Sequence, residues 1–260
     1  MKKLIAVILA LVLTLCLTAC GSDEPASDLE YITNNGKIVV GITDFAPMDY
    51  EDENGEWIGF DADMAKEFAE YLGVEVEFIV IDWDNKIFEL ENKSIDAVWN
   101  GMTLTDKVKD AMGCSDPYCK NAQVVVVNAD VADQYQDEAS LADLAFAVEA
   151  GSAGKEIVEG LGLNFTEVAY QSDALMEVAA GTSDACVIDL LMAGAMIGEG
   201  TGYPDLTYTV SLTSEEYVVG FRKGSDLVEK FNQFWADACA EGTVLETAKT
   251  YGVQESVIVK

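Results

Sequence analysis

The chain contains no histidine. That removes the side chain most often used for proton transfer near neutral pH, and a common zinc ligand. Its six cysteines include no C-x-x-C pair, so a zinc site has no framework and no metal is expected. Basic residues are scarce, 15 against 47 acidic, for a net charge of −32. A surface of that sign repels phosphate backbones and anionic lipid, which excludes a nucleic-acid partner. No nucleophile elbow is present. A P-loop reading of Gly154-Lys155 fails, because Glu149 stands where the upstream glycine belongs and Glu156 where Ser or Thr is needed. Enzymatic acid–base work would fall to carboxylates and to Lys107 or Lys155, so a binding protein without cofactors is expected over an enzyme.

Long apolar runs are also lacking after the start of the chain. Lys2 and Lys3 precede one run, Leu4 to Leu15, that is short for a membrane span and reads as a targeting segment over 1–19. Leu17-Thr18-Ala19-Cys20 follows. Residues 20–36 open with a polar, acidic stretch (GSDEPASDLE) and read as a tether. Losing Lys2 and Lys3 leaves a net charge of −34. Roughly 230 remaining residues can bury a large core and make two lobes. Cys16 leaves with the targeting segment. Of the later cysteines, Cys114 and Cys119 flank Ser115-Asp116-Pro117-Tyr118 and are either bridged or two reduced packing residues.

Strands alternate with helices. Lys37–Ile42, Glu75–Ile81 and Ile95–Trp99 read as strands, and Asn54-Gly55 as a hairpin turn. Asp61–Leu72 carries a helical apolar stripe that Gly73 stops, and Asn85–Glu91 is a short helix. After the Asn100-Gly101 turn, Thr105 or Asp106 can cap another. Gln123–Asn128 is a long apolar strand read as the first crossing between lobes. Ala145–Glu149 and Asp184–Asp189 are strands of a second lobe, with helices Lys155–Leu161 and Leu190–Ile197. Tyr208–Leu212 and Glu216–Phe221 are read as returning strands, and Leu227–Ala240 and Val244–Tyr251 as closing helices. The pattern predicts an α/β fold of two lobes, each an open, mostly parallel sheet flanked by helices, joined by two hinge crossings. The lobes are 37–125 with 217–260, and 126–216. Ser-Ile-Asp-Ala-Val at 94 and Ser-Asp-Ala-Cys-Val at 183 echo each other, one per lobe. Ligands in such sheets sit beyond the C-terminal strand ends, where Asp44-Phe45, Asp82-Trp83 and Trp99-Asn100 fall.

Five stretches carry a resemblance. They are TDFAPMDYEDENGEWIGFDADMAKEFAEYLG (43–73), DAVWNGMTLTDKVKDAMGCSDPYCKNAQ (96–123), VEAGSAGKEIVEGLG (148–162), AAGTSDACVID (179–189) and EGTVLETAKTYG (241–252). In this order they resemble the amino-acid-binding family of bacterial ABC-transporter substrate-binding proteins, periplasmic-binding-protein-like solute-binding family 3, over about 38–252. The resemblance implies a monomeric, extracytoplasmic receptor that delivers a small polar, amine-containing ligand to ABC permease subunits. It also implies a lipid anchor at Cys20, an ordinary signal peptide being the other reading. With no signalling domain following Lys260, transport is expected over sensing. Asp189 matches the position that binds the ligand ammonium, with Gly101 and Thr103 at the same end. Phe45 matches the aromatic that covers the ligand side chain, and Ser152 and Ala153 the helix start that donates to its carboxylate. Asp44, Trp83, Asn100, Met102 and Glu149 complete the expected cleft.

One position departs from the family. Where relatives usually carry an arginine that clamps the carboxylate, this chain has Val108. An alkyl group cannot replace a bidentate guanidinium. Lys107 is adjacent, but one residue along a helix turns it about 100° away. Glu149, Asp44 and Asp189 would make the cleft negative. Either backbone amides and Thr103 hold the carboxylate of an amino acid, or the ligand is a cationic amine or guanidine without one.

Overall fold

The computed structural model describes residues 27–259. Strands β2 (Tyr50–Glu51) and β3 (Trp57–Ile58) form a separate antiparallel hairpin. The first sheet has the order β4-β1-β5-β14-β6. Its strands are β1 (Lys37–Ile42), β4 (Glu75–Val80), β5 (Ala97–Val98), β6 (Gly113–Cys114) and β14 (Gly220–Phe221). The second has the order β10-β9-β11-β8-β12. It is built from β8 (Gln123–Asn128), β9 (Ala145–Glu149), β10 (Asn164–Val168), β11 (Ala185–Asp189) and β12 (Leu206–Ser211). In each sheet only the fourth strand runs against the others, β14 in the first and β8 in the second. The two-lobed, mostly parallel architecture expected from the sequence is present. Central strands are mostly apolar because helices cover both faces; all five residues of β11, its terminal Asp189 included, are buried.

Helices α1 (Asp28–Asn35), α2 (Phe60–Leu72), α3 (Lys86–Glu91) and α4 (Asp106–Ala111) pack on the first lobe. The second carries α5 (Ala153–Gly160), α6 (Gln171–Ala180) and α7 (Leu190–Met196). Helices α8 (Leu227–Glu241) and α9 (Thr243–Thr250) return to the first. Gly73 ends α2 in the left-handed region, its N–H reaching Ala69 and Glu70 carbonyls, and Thr105 caps α4. Phe68 of α2 packs edge-on against Phe231 of α8 at 5.5 Å, and the same cluster takes in Trp99, Tyr118 and Trp235. Aromatic pairs of this kind contribute about 0.5–1.5 kcal/mol each beyond burial.

Three expectations need correction. Gln123–Asn128 is not the crossing: all six residues belong to the second sheet, between β11 and β12. The crossings are β7 (Cys119–Asn121) and β13 (Glu215–Tyr217), which pair with each other as an antiparallel ribbon. The lobe boundaries expected at 125/126 and 216/217 therefore fall inside strands, and sheet membership moves them to the two sides of that ribbon. Tyr208–Leu212 does not return the chain, since β12 is an edge of the second sheet. Of the two alternatives left open for Cys114 and Cys119, the reduced one holds: both are free thiols. The expected anchor, Cys20, lies outside the described residues.

Candidate functional site

All twelve residues singled out in the sequence line one cleft between the lobes. The cleft is narrow and partly open to solvent. Asp44 and Phe45 follow β1, Trp83 follows β4, and Asn100 to Thr103 follow β5. Val108 faces the same space from α4, Glu149 from the end of β9, Ser152 and Ala153 from the start of α5, and Asp189 from the end of β11. Parallel strands ending together create this crevice. Gly101 adopts φ +55, and a Cβ there would stand 2.3 Å from the Phe45 ring, so the turn requires glycine.

The second-lobe wall is a carboxylate held by amides. Asp189 Oδ1 accepts from Tyr217 Oη at 2.7 Å, from Gln123 Nε2 at 2.9 Å and from the Asn121 amide. Its Oδ2 accepts from Gln171, whose Oε1 in turn takes the Asp189 backbone N–H at 2.8 Å. Each carboxylate oxygen offers about two acceptor positions, so Oδ2, with one donor, keeps one. Burial and the Glu215 charge push the Asp189 carboxyl up to about 7, against these hydrogen bonds. Glu215, on the crossing strand, accepts from Asn121, Gln123 and Thr103 at 2.7–2.9 Å. Beside Asp189, burial and the Asp189 charge push Glu149 up to about 8, while Lys86 and Gln171 pull it back.

These bonds redistribute the expected roles. Thr103 gives its hydroxyl proton to Glu215 and has none for a ligand carboxylate. Asn100 is fully occupied, accepting from Thr43 and donating to the Thr43 carbonyl and to Asp49, so its side chain positions the turn. The Gly101 N–H donates to buried Asp61 at 2.7 Å. Ser152 Oγ caps α5 by accepting from Lys155 N at 3.0 Å. The amides of Ala153 and Gly154 have no intrahelical acceptor. Asp44 stands at the mouth, its carboxyl raised by partial burial and by Glu51 and Asp173. Lys107 lines the mouth as well, contrary to the expectation that the helix turns it away.

Several lining residues carried no signal in the sequence reading: Gln123 and Gln171, which clamp Asp189, and Lys86. A buried glutamine pair around an aspartate becomes visible only once β8, α6 and β11 are adjacent. Lys86 Nζ donates across the cleft to the Gly151 carbonyl at 2.8 Å and within its own lobe to Trp83 O at 3.0 Å. It also lies 4.6 Å from the Trp83 ring centre. Burial lowers its ammonium to about 8, despite the Glu149 charge. The lobes are closed on each other: Gly151 has φ +71, and a Cβ there would stand 2.6 Å from Asp84 Cα of the opposite lobe. Among the described residues no group of three or more potential ligands could hold a metal ion.

Two lobes, a hinge ribbon and a cleft lined by charged and amide side chains define a receptor that closes on a small polar solute. The family model for bacterial extracellular solute-binding proteins, family 3, matches residues 38–254, and the chain belongs to that family. It is 29% identical over 242 residues to the arginine-binding extracellular protein ArtP of Bacillus subtilis (strain 168), covering 90% of this chain and 91% of ArtP. Among solved structures, a mutant of ArgBP from T. maritima is similar with a TM-score of 0.80 and 31% identity, covering 86% of this chain and 99% of that one. A substrate-binding protein of an ABC uptake transporter from Streptococcus pneumoniae, solved with bound histidine, gives a TM-score of 0.80 at 26% identity over 88% and 97% of the two chains. These relatives are extracellular or transporter-associated binding proteins rather than enzymes. No helix among the described residues is long and apolar enough to cross a membrane.

Proposed function

We propose that this chain is the solute-binding lipoprotein of an ABC importer, that it closes on a small polar amino acid and that it hands the ligand to the permease. The carrying observation is the buried pair Asp189 and Glu149 at the ends of two adjacent second-lobe strands, facing the Gly101 turn and Phe45 of the first lobe. An α-ammonium placed there meets the remaining acceptor position of Asp189, and the ligand side chain lies against Phe45 and Trp83. Names of relatives that bind arginine and histidine support an amino acid. Calorimetric titration with the protein amino acids, ornithine, cystine and small organic cations tests the reading. Heat from no amino acid in that panel would sink it.

A second reading rests on Val108, which stands in the cleft where relatives usually place the clamping arginine. It takes a cationic amine or guanidine without a carboxylate. Val108→Arg separates the two. It should hold or raise affinity for an amino acid, and should weaken a carboxyl-free cation by several kcal/mol through like charge.

The anchor proposal rests on the Leu-Thr-Ala-Cys pattern. A cleaved Cys20→Ala protein that stays with the membrane fraction would refute it. The receptor is proposed to act as a monomer, which light scattering checks.

A further inference from the structure

The chain has a single arginine, and it is engaged elsewhere. Arg222 donates to Asp28 at 2.8 Å and to Asp96 at 2.9 Å within the first lobe, and is not among the cleft residues. Two cations line the cleft, Lys86 and Lys107. Lys107 is exposed, whereas Lys86 is the buried lysine among the described residues, 4% exposed. An ammonium buried to that degree is costly unless its three N–H groups and its charge are used. Two N–H groups reach the Trp83 and Gly151 carbonyls, and the charge faces Glu149 without forming an ion pair with it. One N–H remains. The Gly151 carbonyl that Lys86 holds belongs to the loop that starts α5. The ammonium is therefore tied to the loop that starts α5 and lines the same cleft as Ala153, whose amide has no intrahelical acceptor.

We infer that Lys86 receives the carboxylate of the ligand, together with the α5 amides, and so performs the task that Val108 cannot. The assignment rests on the amino-acid reading above and deepens it. A carboxylate at that spot takes a charged donor from the first lobe and amide donors from the second, so binding it draws the lobes together. Its ammonium, about two bonds away, then lies toward Glu149 and Asp189. The competing role for Lys86 is a latch that only ties α3 to Gly151. A latch would favour closure around any ligand, whereas a carboxylate partner discriminates between ligands.

The test is therefore a ratio. Parent, Lys86→Met and Lys86→Arg are titrated by calorimetry with L-arginine and agmatine, L-lysine and cadaverine, and L-histidine and histamine. The parent should bind the carboxylate-bearing member of the best pair at least tenfold more tightly. Lys86→Met should bring that ratio close to one, and Lys86→Arg should keep a preference. Equal weakening of both members by Lys86→Met makes Lys86 a latch and overturns the inference. So does a parent that does not prefer the carboxylate. Binding of no pair removes the amino-acid reading for these ligands and the inference with it. Should Lys86→Met not fold, the parent alone decides. Its preference for the carboxylate should fall as the pH rises past about 8, where Lys86 loses its proton. A ratio constant between about pH 7 and 9.5 would overturn the assignment.

Discussion

Raising the pH should tighten the binding of an amine-bearing ligand. Asp189 titrates near 7 and Glu149 near 8 in the unliganded cleft, both raised first of all by burial. An ammonium stabilises the ionised carboxylate, so binding expels the proton and affinity rises with pH until the group is ionised unaided. For a group of pKa about 7 the ionised fraction grows about tenfold from pH 6 to pH 8, about 1.4 kcal/mol; for pKa about 8 it grows about fiftyfold, about 2.3 kcal/mol. Calorimetry at several pH values, in buffers of different ionisation enthalpy, gives both the affinity and the protons released. About one proton should leave per ligand at pH 6. For an amino acid the curve should turn over above pH 8 as Lys86 deprotonates; for its carboxyl-free analogue it should not. Affinity that is flat across pH 6 to 8, or proton uptake on binding, would refute the placement of the ammonium beside these acids. The same shifts act on stability. Both carboxyls bind protons more tightly folded than unfolded, where their ordinary values are 3.8 and 4.5. Their contribution is therefore fully present near pH 4 and is lost as pH rises through 7 and 8. Lys86 has the opposite sign: its burial is a constant cost below 8, relieved between 8 and its ordinary 10.5. The unliganded melting temperature should fall from pH 5 to pH 8.

Asp189→Asn should weaken binding by about 2–5 kcal/mol, as expected for truncating one partner of a desolvated charge pair. It also sets an amide donor among the Asn121, Gln123, Gln171 and Tyr217 donors, which should cost about 1–3 kcal/mol of stability. Melting and titration separate the effects, and affinity within about threefold of the parent would show that Asp189 is structural. Gly151→Ala forces a Cβ to 2.6 Å from Asp84 Cα and strains a φ of +71. It should hold the lobes apart, enlarge the radius of gyration of the liganded protein in X-ray scattering and cut affinity at least about tenfold, about 1.4 kcal/mol. An unchanged radius with unchanged affinity would mean that the closed contact is not used.

Much of the site was legible through the family resemblance, which pointed to Asp189, Phe45, Gly101, Thr103, Ser152 and Ala153, and through the placement of such residues at strand ends and turns. Asn100-Gly101 and Gly151-Ser152 announce turns, and Asp189 ends an apolar run. The strand ends could be placed in one cleft because the strand–helix alternation fixes a parallel sheet. Less legible was the stretch 162–183. Strand β10 (NFTEV) has Asn164, Thr166 and Glu167 exposed and only Phe165 and Val168 to mark it as a strand, and α6 opens on the polar run Gln171-Ser172-Asp173. With α6 unassigned, Gln171 could not be seen as the partner of Asp189, although they are 18 residues apart. The crossing was misplaced for a physical reason. Gln123–Asn128 is apolar because it is an inner strand covered on both faces, and burial of that kind gives no hint of which sheet a strand joins. The true crossings are three residues each and carry polar side chains, so periodicity cannot register them. Lys86 opens a short helix three residues after Trp83, and no feature of its sequence neighbourhood signals that it is buried in the cleft.

The matched strand orders have a consequence for how the chain reaches its folded state. Every strand of the second sheet comes from one continuous segment, Gln123 to Ser211. The first sheet is divided: β14 arrives after that whole segment has been made, and it is hydrogen-bonded to both β5 and β6, so those two strands have no direct pairing without it. Helix α8, whose Phe231 packs on Phe68 and Trp99, arrives later still, and α9 after it. The second lobe can thus assemble from contacts within about 90 residues, while the first must hold an unfinished sheet until the C-terminal fifth of the chain is available. Exposed apolar edges of β5 and of α2 are the surfaces at risk during that interval, and the first lobe, not the second, sets the time at which the chain stops needing protection from aggregation.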